Sequence, residues 1–290
     1  IAMMAVFYCY HSLDYGTVYA LTPIVAISNQ AYMLDIICIF ILIGAMGKSA
    51  QIVLHTWLPD AMEGPTPVSA LIHAATMVTA GIFLIIRCSH LFEESPTILA
   101  SMSLIGATTA FFAGSCGLFQ NDFKKVIAYS TCSQLGYMTF ACSCSAYNLA
   151  LFHLASHAFF KALLFLGAGS VIHSFGGEQD IRRMGGALRF LPLTYAGLAI
   201  GSLSLIGFPF LSGFISKDLI LEASYAGDYR FASICSSLVT IAILFTTFYS
   251  TRLLYFVFFA QPNGYRTVYQ GIHECGPHIG LALYILGFGS

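Results

Sequence analysis

Apolar stretches of about 20 residues follow one another along nearly the whole sequence. They lie near 32–57, 67–87, 97–119, 124–145, 147–173, 191–223 and 231–260, with shorter ones at 1–10 and 278–290. A helical run of this length crosses the ~30 Å hydrocarbon core of a bilayer, whereas a membrane barrel would show strands of about ten alternating residues. The sequence therefore predicts an all-α, polytopic transmembrane bundle in a lipid bilayer, with about seven complete spans.

The charge content excludes several other classes of protein. Only 9% of the 290 residues are charged, against ~25% in a soluble domain. The net charge of −1 provides no basic patch, so nucleic acid is not an expected partner. The chain has no dinucleotide-binding or ATP-binding glycine motif and no cysteine set for an iron–sulfur cluster. We therefore expect no cofactor and no metal in this chain.

Two of the apolar runs are interrupted in a similar way. The segment 43–49 contains two glycines and Lys48, and the segment 206–218 contains two glycines, a proline and Lys217. Proline removes a helical donor and glycine frees the backbone, and such irregular backbone is tolerated at membrane depth only inside protein or along a cavity. Two interrupted spans at corresponding positions are typical of transporters built from internal repeats, so we predict two discontinuous helices.

Ionisable side chains within apolar runs are the candidate functional residues, because a charge in a bilayer is costly. The candidates for a proton relay are Lys48, His73, Lys124, Lys125, His153, His157, Lys161 and Lys217.

The most informative group is His153, His157 and Lys161, which recur at every fourth position. Successive members are only ~40° apart around a helix, so all three lie on one face, which should point into protein rather than lipid. Histidine titrates near neutrality and a buried lysine can lose its proton, so a proton relay fits the pattern. Two alternatives remain: two hydrogen-bonded structural histidines, or a metal site, which the absence of nearby acids and the charge of Lys161 disfavour.

The other candidates also have structural alternatives. Lys48 can snorkel to the membrane interface, and Lys217 can pair with a nearby carboxylate. A packed, hydrogen-bonded His73 is nearly as good an explanation as a relay member. One of Lys124 and Lys125 is expected to be a solvated helix end.

Several motifs resemble the signature of the antiporter-like subunits of respiratory complex I. They lie at 47–51, 55–73, 121–131, 153–162 and 216–218, and the resemblance extends over essentially the whole chain. It implies two inverted five-helix repeats, each with a discontinuous helix. On this interpretation residues 1–90 are the C-terminal part of the first repeat, 91–260 are the second repeat, and 261–290 are a loop and the start of a further transmembrane helix.

The resemblance also implies a function. Lys48 and Lys217 match the lysines of the two discontinuous helices and Lys161 the central lysine, with His73, His153, His157 and Lys124 or Lys125 as further relay members. The glutamate that pairs with the lysine of the first half has no counterpart in this sequence, and we expect its segment to precede residue 1, on a separate chain or outside this piece.

The implied chemistry is proton translocation driven by electron transfer from NADH to quinone in other subunits. NADH, FMN, iron–sulfur clusters and ubiquinone would be held by those subunits, and a neighbouring antiporter-like subunit would be a direct partner. The expected location is the mitochondrial inner membrane, with a bacterial plasma membrane as the alternative. A subunit of a sodium/proton antiporter and a purely structural scaffold are the alternative functions.

Overall fold

The computed structural model describes residues 1–27, 31–226 and 231–290, without the side chains of Ala31, His73, Ala74 and Arg266. The first helices are α1 Ala2–Tyr10, α2 Tyr15–Ile27, α3 Ala31–Lys48, α4 Trp57–Asp60, α5 Thr66–Val68, α6 Met77–Arg87 and α7 Ser89–Glu93. The remaining helices are α8 Pro96–Phe119, α9 Phe123–Ser143, α10 Tyr147–Ser174, α11 Pro192–Ile206, α12 Ser212–Ala226, α13 Ala232–Leu254, α14 Arg266–Gln270 and α15 Pro277–Phe288. The predicted all-α, polytopic class is confirmed.

Four helices in the described part of the chain are long and apolar enough to cross a membrane. They are Thr66–Arg87, in which α5 and α6 are joined by a π-helical stretch, Pro96–Phe119, Tyr147–Ser174, and Ala232–Phe259, which extends α13. The other apolar helices are shorter: Tyr15–Ile27, Pro192–Ile206 and Pro277–Phe288. Three of the seven predicted spans are not among these four: the runs at 32–57 and 191–223 are broken, and the run at 124–145 forms the continuous helix α9, which is not apolar enough to be counted.

The centre of the bundle is α9, which contacts α8, α10 and α13. All of its residues except Lys125 and Tyr129 are buried. It crosses α8 at two glycines, where a Cβ on Gly136 would lie 2.6 Å from the Ala110 nitrogen and one on Gly106 would lie 2.6 Å from the Phe140 nitrogen. The two backbones are therefore in direct contact, as small residues allow in membrane helices.

The first helix break differs in position from the prediction. Helix α3 continues through Gly44 and Gly47 and ends at Lys48, so the irregular segment is 49–56 rather than 43–49. A glycine within a helix costs only about 1 kcal/mol, and keeping the helical hydrogen bonds outweighs that cost in an apolar environment. Within the break, Val53 has a φ of 77°, a strained value for a β-branched residue.

Long-range hydrogen bonds hold the segment 49–56 in place. The backbone nitrogen of Ile52 donates to Thr109 Oγ1 on α8 at 3.1 Å, and Thr139 Oγ1 on α9 donates to Gln51 Oε1 at 3.2 Å. The first bond satisfies a backbone N–H of the non-helical segment, and both bonds tie that segment to α8 and α9, so the first break is positioned by helices that follow it in the chain.

The second break lies where the sequence placed it. Helix α11 ends at Ile206, the chain turns at 207–211, and α12 begins at Ser212. Gly207 has a φ of 92°, a left-handed conformation that favours glycine. A Cβ on Gly213 would lie 1.8 Å from the Ser204 carbonyl oxygen, so the start of α12 lies directly against the end of α11.

Outside the helices, the loop after α10 is anchored to the connection between α8 and α9. The Phe123 nitrogen donates to the Gln179 carbonyl at 2.9 Å, and the Ile181 nitrogen donates to the Asn121 carbonyl at 3.0 Å. Arg252 of α13 donates to the carbonyls of Leu118 and Gln120 at 2.6 and 2.7 Å. The two bonds from Arg252 satisfy carbonyl oxygens at the end of α8 that have no partner within the helix.

The Arg182–Asp180 ion pair in the loop after α10 predicts a modest dependence of the stability of the fold on pH. Hydrogen bonds from Arg182 hold the pKa of Asp180 below its ordinary value, with partial burial opposing them. A carboxyl with a lowered folded pKa stabilises the fold above its unfolded pKa, and this stabilisation is lost as the pH falls through the folded pKa. Because the Arg182 side chain is 60% exposed, screening limits the effect of Asp180→Asn to less than ~1 kcal/mol. We expect a slightly lower thermal midpoint for Asp180→Asn at pH 7 and a difference from wild type that shrinks as the pH falls through the lowered folded pKa of Asp180.

Candidate functional site

Helix α10 carries a buried polar stripe along one face. His153, His157 and Lys161 each have 0% exposure, and the two imidazole centroids are 6.3 Å apart. The face points to α9 and to α12, the second half of the discontinuous helix pair. The structure thus places these three predicted residues together in the interior.

Lys161 is held by two neutral acceptors on α9. Its Nζ donates to Ser130 Oγ, and to the Ile127 carbonyl at 3.4 Å. A carbonyl and a hydroxyl stabilise an ammonium group through their dipoles, without the fixed counter-charge of a carboxylate.

Lys217 occupies an equivalent setting on α12, where it is 3% exposed. Its Nζ donates to the Leu205 carbonyl at 2.7 Å and lies 5.4 Å from the centre of the Tyr137 ring. The Leu205 carbonyl belongs to the last turn of α11, whose acceptors are freed by the helix break. The break therefore supplies the acceptor that binds Lys217.

His153 connects α9 and α12. Its Nδ1 is 2.8 Å from Ser216 Oγ, and its Nε2 is 3.1 Å from Gln134 Oε1. With the Gln134 amide oxygen toward the ring, Nε2 must donate and Nδ1 of the neutral ring accepts from Ser216, while the Gln134 amide nitrogen has no partner among the described residues.

His157 lies between His153 and Lys161 along the helix. Within the described residues neither of its ring nitrogens has a hydrogen-bond partner, and its ring meets Phe160 edge-on at 5.3 Å. A buried imidazole without a partner lowers the stability of the fold. Its presence in this row is therefore better explained by function than by folding.

Neither buried lysine has a counter-ion in the part of the chain that the structure describes. The ion pairs found there are Lys125–Asp122 at the start of α9 and Arg182–Asp180 and Arg183–Glu178 in the loop after α10, all outside the stripe. A buried charge held only by dipoles is costly, which brings the charged and neutral forms of a lysine closer in energy. The site is therefore chemically suited to groups that change protonation state.

The other predicted residues are placed differently. Lys48 is the last residue of α3. It is exposed and is not part of the stripe on α10. Lys124 is buried and donates to the Gly64 carbonyl at 3.0 Å, whereas the Lys125 side chain is 37% exposed. The side chain of His73 lies outside the described residues.

Sequence reasoning missed the neutral partners of the stripe. Ser130, Gln134 and Tyr137 contact Lys161, His153 and Lys217 in that order. Their spacings of four and three residues place them on one face of α9. This periodicity was the available signal, but neutral polar residues carry no large cost in a membrane helix and so did not stand out.

Comparison with known sequences gives a consistent set of relatives. The family model described as NADH:quinone oxidoreductase/Mrp antiporter, TM, matches residues 1–246. NADH-ubiquinone oxidoreductase chain 5 of Phytophthora infestans is 55% identical, that of Metridium senile 53% and that of Arabidopsis thaliana 52%, each over 100% of this chain. The chain spans less than half of their length, namely 45%, 47% and 44%.

Two solved structures share the fold. The Mrp complex from Dietzia sp. has a chain that is 28% identical with a TM-score of 0.86, over 99% of this chain and 31% of the other. The membrane-bound sulfane sulfur reductase, an archaeal respiratory membrane complex, has a chain that is 23% identical with a TM-score of 0.88, over 99% of this chain and 48% of the other. The second match concerns the fold alone.

Proposed function

Because the chain belongs to the NADH:quinone oxidoreductase/Mrp antiporter transmembrane family, we propose that it is part of a proton-translocating membrane subunit of NADH:ubiquinone oxidoreductase. The family resemblance seen in its motifs is thus confirmed. The relatives named chain 5 support the choice of this enzyme complex. Since the chain spans less than half of those relatives, the activity of the whole subunit is part of the proposal.

The observation that carries this function is the buried row of His153, His157, Lys161 and Lys217. Dipoles from α9 and from the break after α11 hold His153, Lys161 and Lys217 without carboxylate partners in the described residues, and His157 lies between them with no hydrogen-bond partner there. Each lysine alternates between charged and neutral as neighbouring charges shift. A tenfold change in its protonation equilibrium needs only ~1.4 kcal/mol of differential interaction, so small rearrangements can gate proton loading and release.

Further members extend this relay in the proposal. Lys124 lies at the start of α9 and is bonded to the connection before α5, which makes it the proposed link toward the first half. Lys48, His73 and Lys125 are assigned to the same relay by the family motifs alone. The proposed division is an incomplete first repeat at 1–90, a second repeat at 91–260, and a loop with a further helix at 261–290.

Electron transfer is assigned to other subunits. We propose that NADH, FMN, iron–sulfur clusters and ubiquinone are bound there, and that this chain contacts a neighbouring antiporter-like subunit and a segment that supplies the helices of the first repeat. The chain 5 relatives in eukaryotes favour the mitochondrial inner membrane over a bacterial plasma membrane.

Replacing Lys161 with methionine tests the proposed function. We expect the full-length subunit to assemble, because methionine matches the lysine stem in length and removes only the buried charge. Proton translocation per NADH oxidised, measured in vesicles containing the assembled complex, should fall. Arg183→Met is the matched control, because that arginine is exposed, paired with Glu178 and outside the proposed relay. An unchanged ratio for Lys161→Met would exclude a relay through this residue.

A sodium/proton antiporter subunit is the second candidate, favoured by the likeness to a chain of the Mrp complex. It predicts sodium-dependent proton flux in the absence of NADH. A structural scaffold is the third candidate, and it predicts that neutral substitutions at His153, His157 and Lys161 leave all transport intact.

A further inference from the structure

We propose that Ser216 is a hydroxyl switch that allows His153 to gain and lose a proton without leaving a buried group unpaired. This inference rests on the proposed proton relay. Ser216 acts through His153, so it is a positioning residue for the relay.

Ser216 has a second acceptor within reach of its hydroxyl. Both Ser216 and His153 have 0% exposure, and their Oγ and Nδ1 atoms are 2.8 Å apart. The same Oγ lies 3.4 Å from the Gly213 carbonyl oxygen, one helical turn earlier on α12. The hydroxyl hydrogen can therefore point to the imidazole or to the backbone by rotating about one bond.

The two orientations match the two protonation states of the ring. When His153 is neutral, Nε2–H donates to Gln134 and Nδ1 accepts from the Ser216 hydroxyl. When the ring is charged, Nδ1–H donates to Ser216 Oγ, and the hydroxyl donates to Gly213. Ser156 Oγ also lies 3.4 Å from Ser216 Oγ, but its one hydrogen has a closer acceptor in the His153 carbonyl at 3.0 Å. The His153–Ser216–Gly213 group thus keeps its hydrogen bonds in either state.

Proton transfer through this group balances. A lysine ammonium group of the proposed relay gives up one proton, Nδ1 of His153 gains one, and the Ser216 hydroxyl turns from Nδ1 to the Gly213 carbonyl without breaking its own O–H bond. The lysine becomes neutral, the imidazole becomes an imidazolium, and the serine remains a neutral hydroxyl. Release of the proton reverses these steps.

The neighbouring groups explain why a neutral partner is needed at this position. His157 and Lys161 on α10 and Lys217 on α12 contribute positive or protonatable groups, and α9 contributes the neutral Gln134. A carboxylate in place of Ser216 would fix the imidazolium, whereas an alanine would leave its Nδ1–H unpaired. Only a group that both donates and accepts serves both states.

The test is Ser216→Ala in the assembled complex with the full-length subunit. Losing the hydrogen bond to the charged imidazolium lowers the population of that charged state by about tenfold or more. We therefore expect NADH-driven proton translocation to fall by about that factor. Ser202→Ala is the control, because Ser202 is buried on α11 and bonds only within its helix, to the Ala199 carbonyl at 2.9 Å. Assembly is checked by the amount of intact complex in the membrane.

Two further variants separate the switch from a packing effect. Ser216→Thr keeps the hydroxyl and should restore translocation, and Ser216→Ala added to His153→Ala should cause no further loss, because the serine acts through the histidine. Normal translocation in Ser216→Ala, or additive losses in the double variant, would overturn the proposal. If Lys161→Met abolishes translocation and Ser216→Ala does not, only the switch fails; if neither has an effect, the relay itself fails.

Discussion

Replacing Gly136 with alanine is expected to separate α8 from α9 and to prevent stable folding of the bundle. The added Cβ would lie 2.6 Å from the Ala110 nitrogen, 2.8 Å from the Gly106 carbonyl oxygen and 3.0 Å from the Ala110 Cα. All three contacts are with backbone, so no side chain can rotate away to make room. We expect the free energy of unfolding to fall by at least about 3 kcal/mol. This is the upper end of the cost of ordinary overpacking and a large part of a typical folding free energy.

The measurement is the amount of monodisperse full-length protein in detergent and its resistance to protease. Gly197→Ala is the matched control, because that glycine is also helical and buried, but its added Cβ would meet only leucine side chains, at 3.4 Å and beyond. Near-normal yield of Gly197→Ala with loss of Gly136→Ala would support the close crossing. Equal yields would show that the helices tolerate a wider spacing.

The contact at Gly136 illustrates what the sequence left open about the fold. The lengths of the apolar runs predicted the helical class, since length and polarity are local properties. They gave no sign that α9 is the buried centre, because the length of an apolar run does not tell which other helices surround it, α13 from far along the chain among them. The first break shows the same limit: two glycines suggested 43–49, but the hydrogen bonds of Ile52 and Gln51 to helices far along the chain decide that the backbone leaves the helix after Lys48.

In the candidate site, the ionisable residues were predictable from the sequence and their neutral partners were not. Buried charge is rare in an apolar sequence, so His153, His157, Lys161 and Lys217 could be found from composition and helical periodicity. Their neutral partners could not be ranked in the same way, since serines and tyrosines are frequent in this chain and most have structural roles. Which of Lys124 and Lys125 is buried also depended on an acceptor on another segment, the Gly64 carbonyl.

Replacing Lys217 with arginine should abolish proton translocation even though it keeps the positive charge. The guanidinium of arginine stays protonated under all conditions relevant to a protein, so it can support a structure but cannot release a proton. The buried amine of Lys217 is held by the Leu205 carbonyl and the Tyr137 ring, both of which serve a cation without fixing it through a salt bridge.

The comparison of Lys217→Arg with Lys217→Met separates two roles for this lysine. If Lys217 only provides a fixed charge, arginine should retain translocation and methionine should remove it. If Lys217 changes protonation state in each cycle, both variants should lose translocation by a similar factor, while the amount of assembled complex remains near that of wild type. The measurement is proton translocation per NADH oxidised in sealed vesicles, with Arg183→Lys as the control exchange at an exposed cation outside the relay. The Leu205 carbonyl is free to bind Lys217 because α11 ends in that turn. Full retention of translocation in Lys217→Arg would therefore also mean that the break serves to hold a charge rather than to exchange a proton.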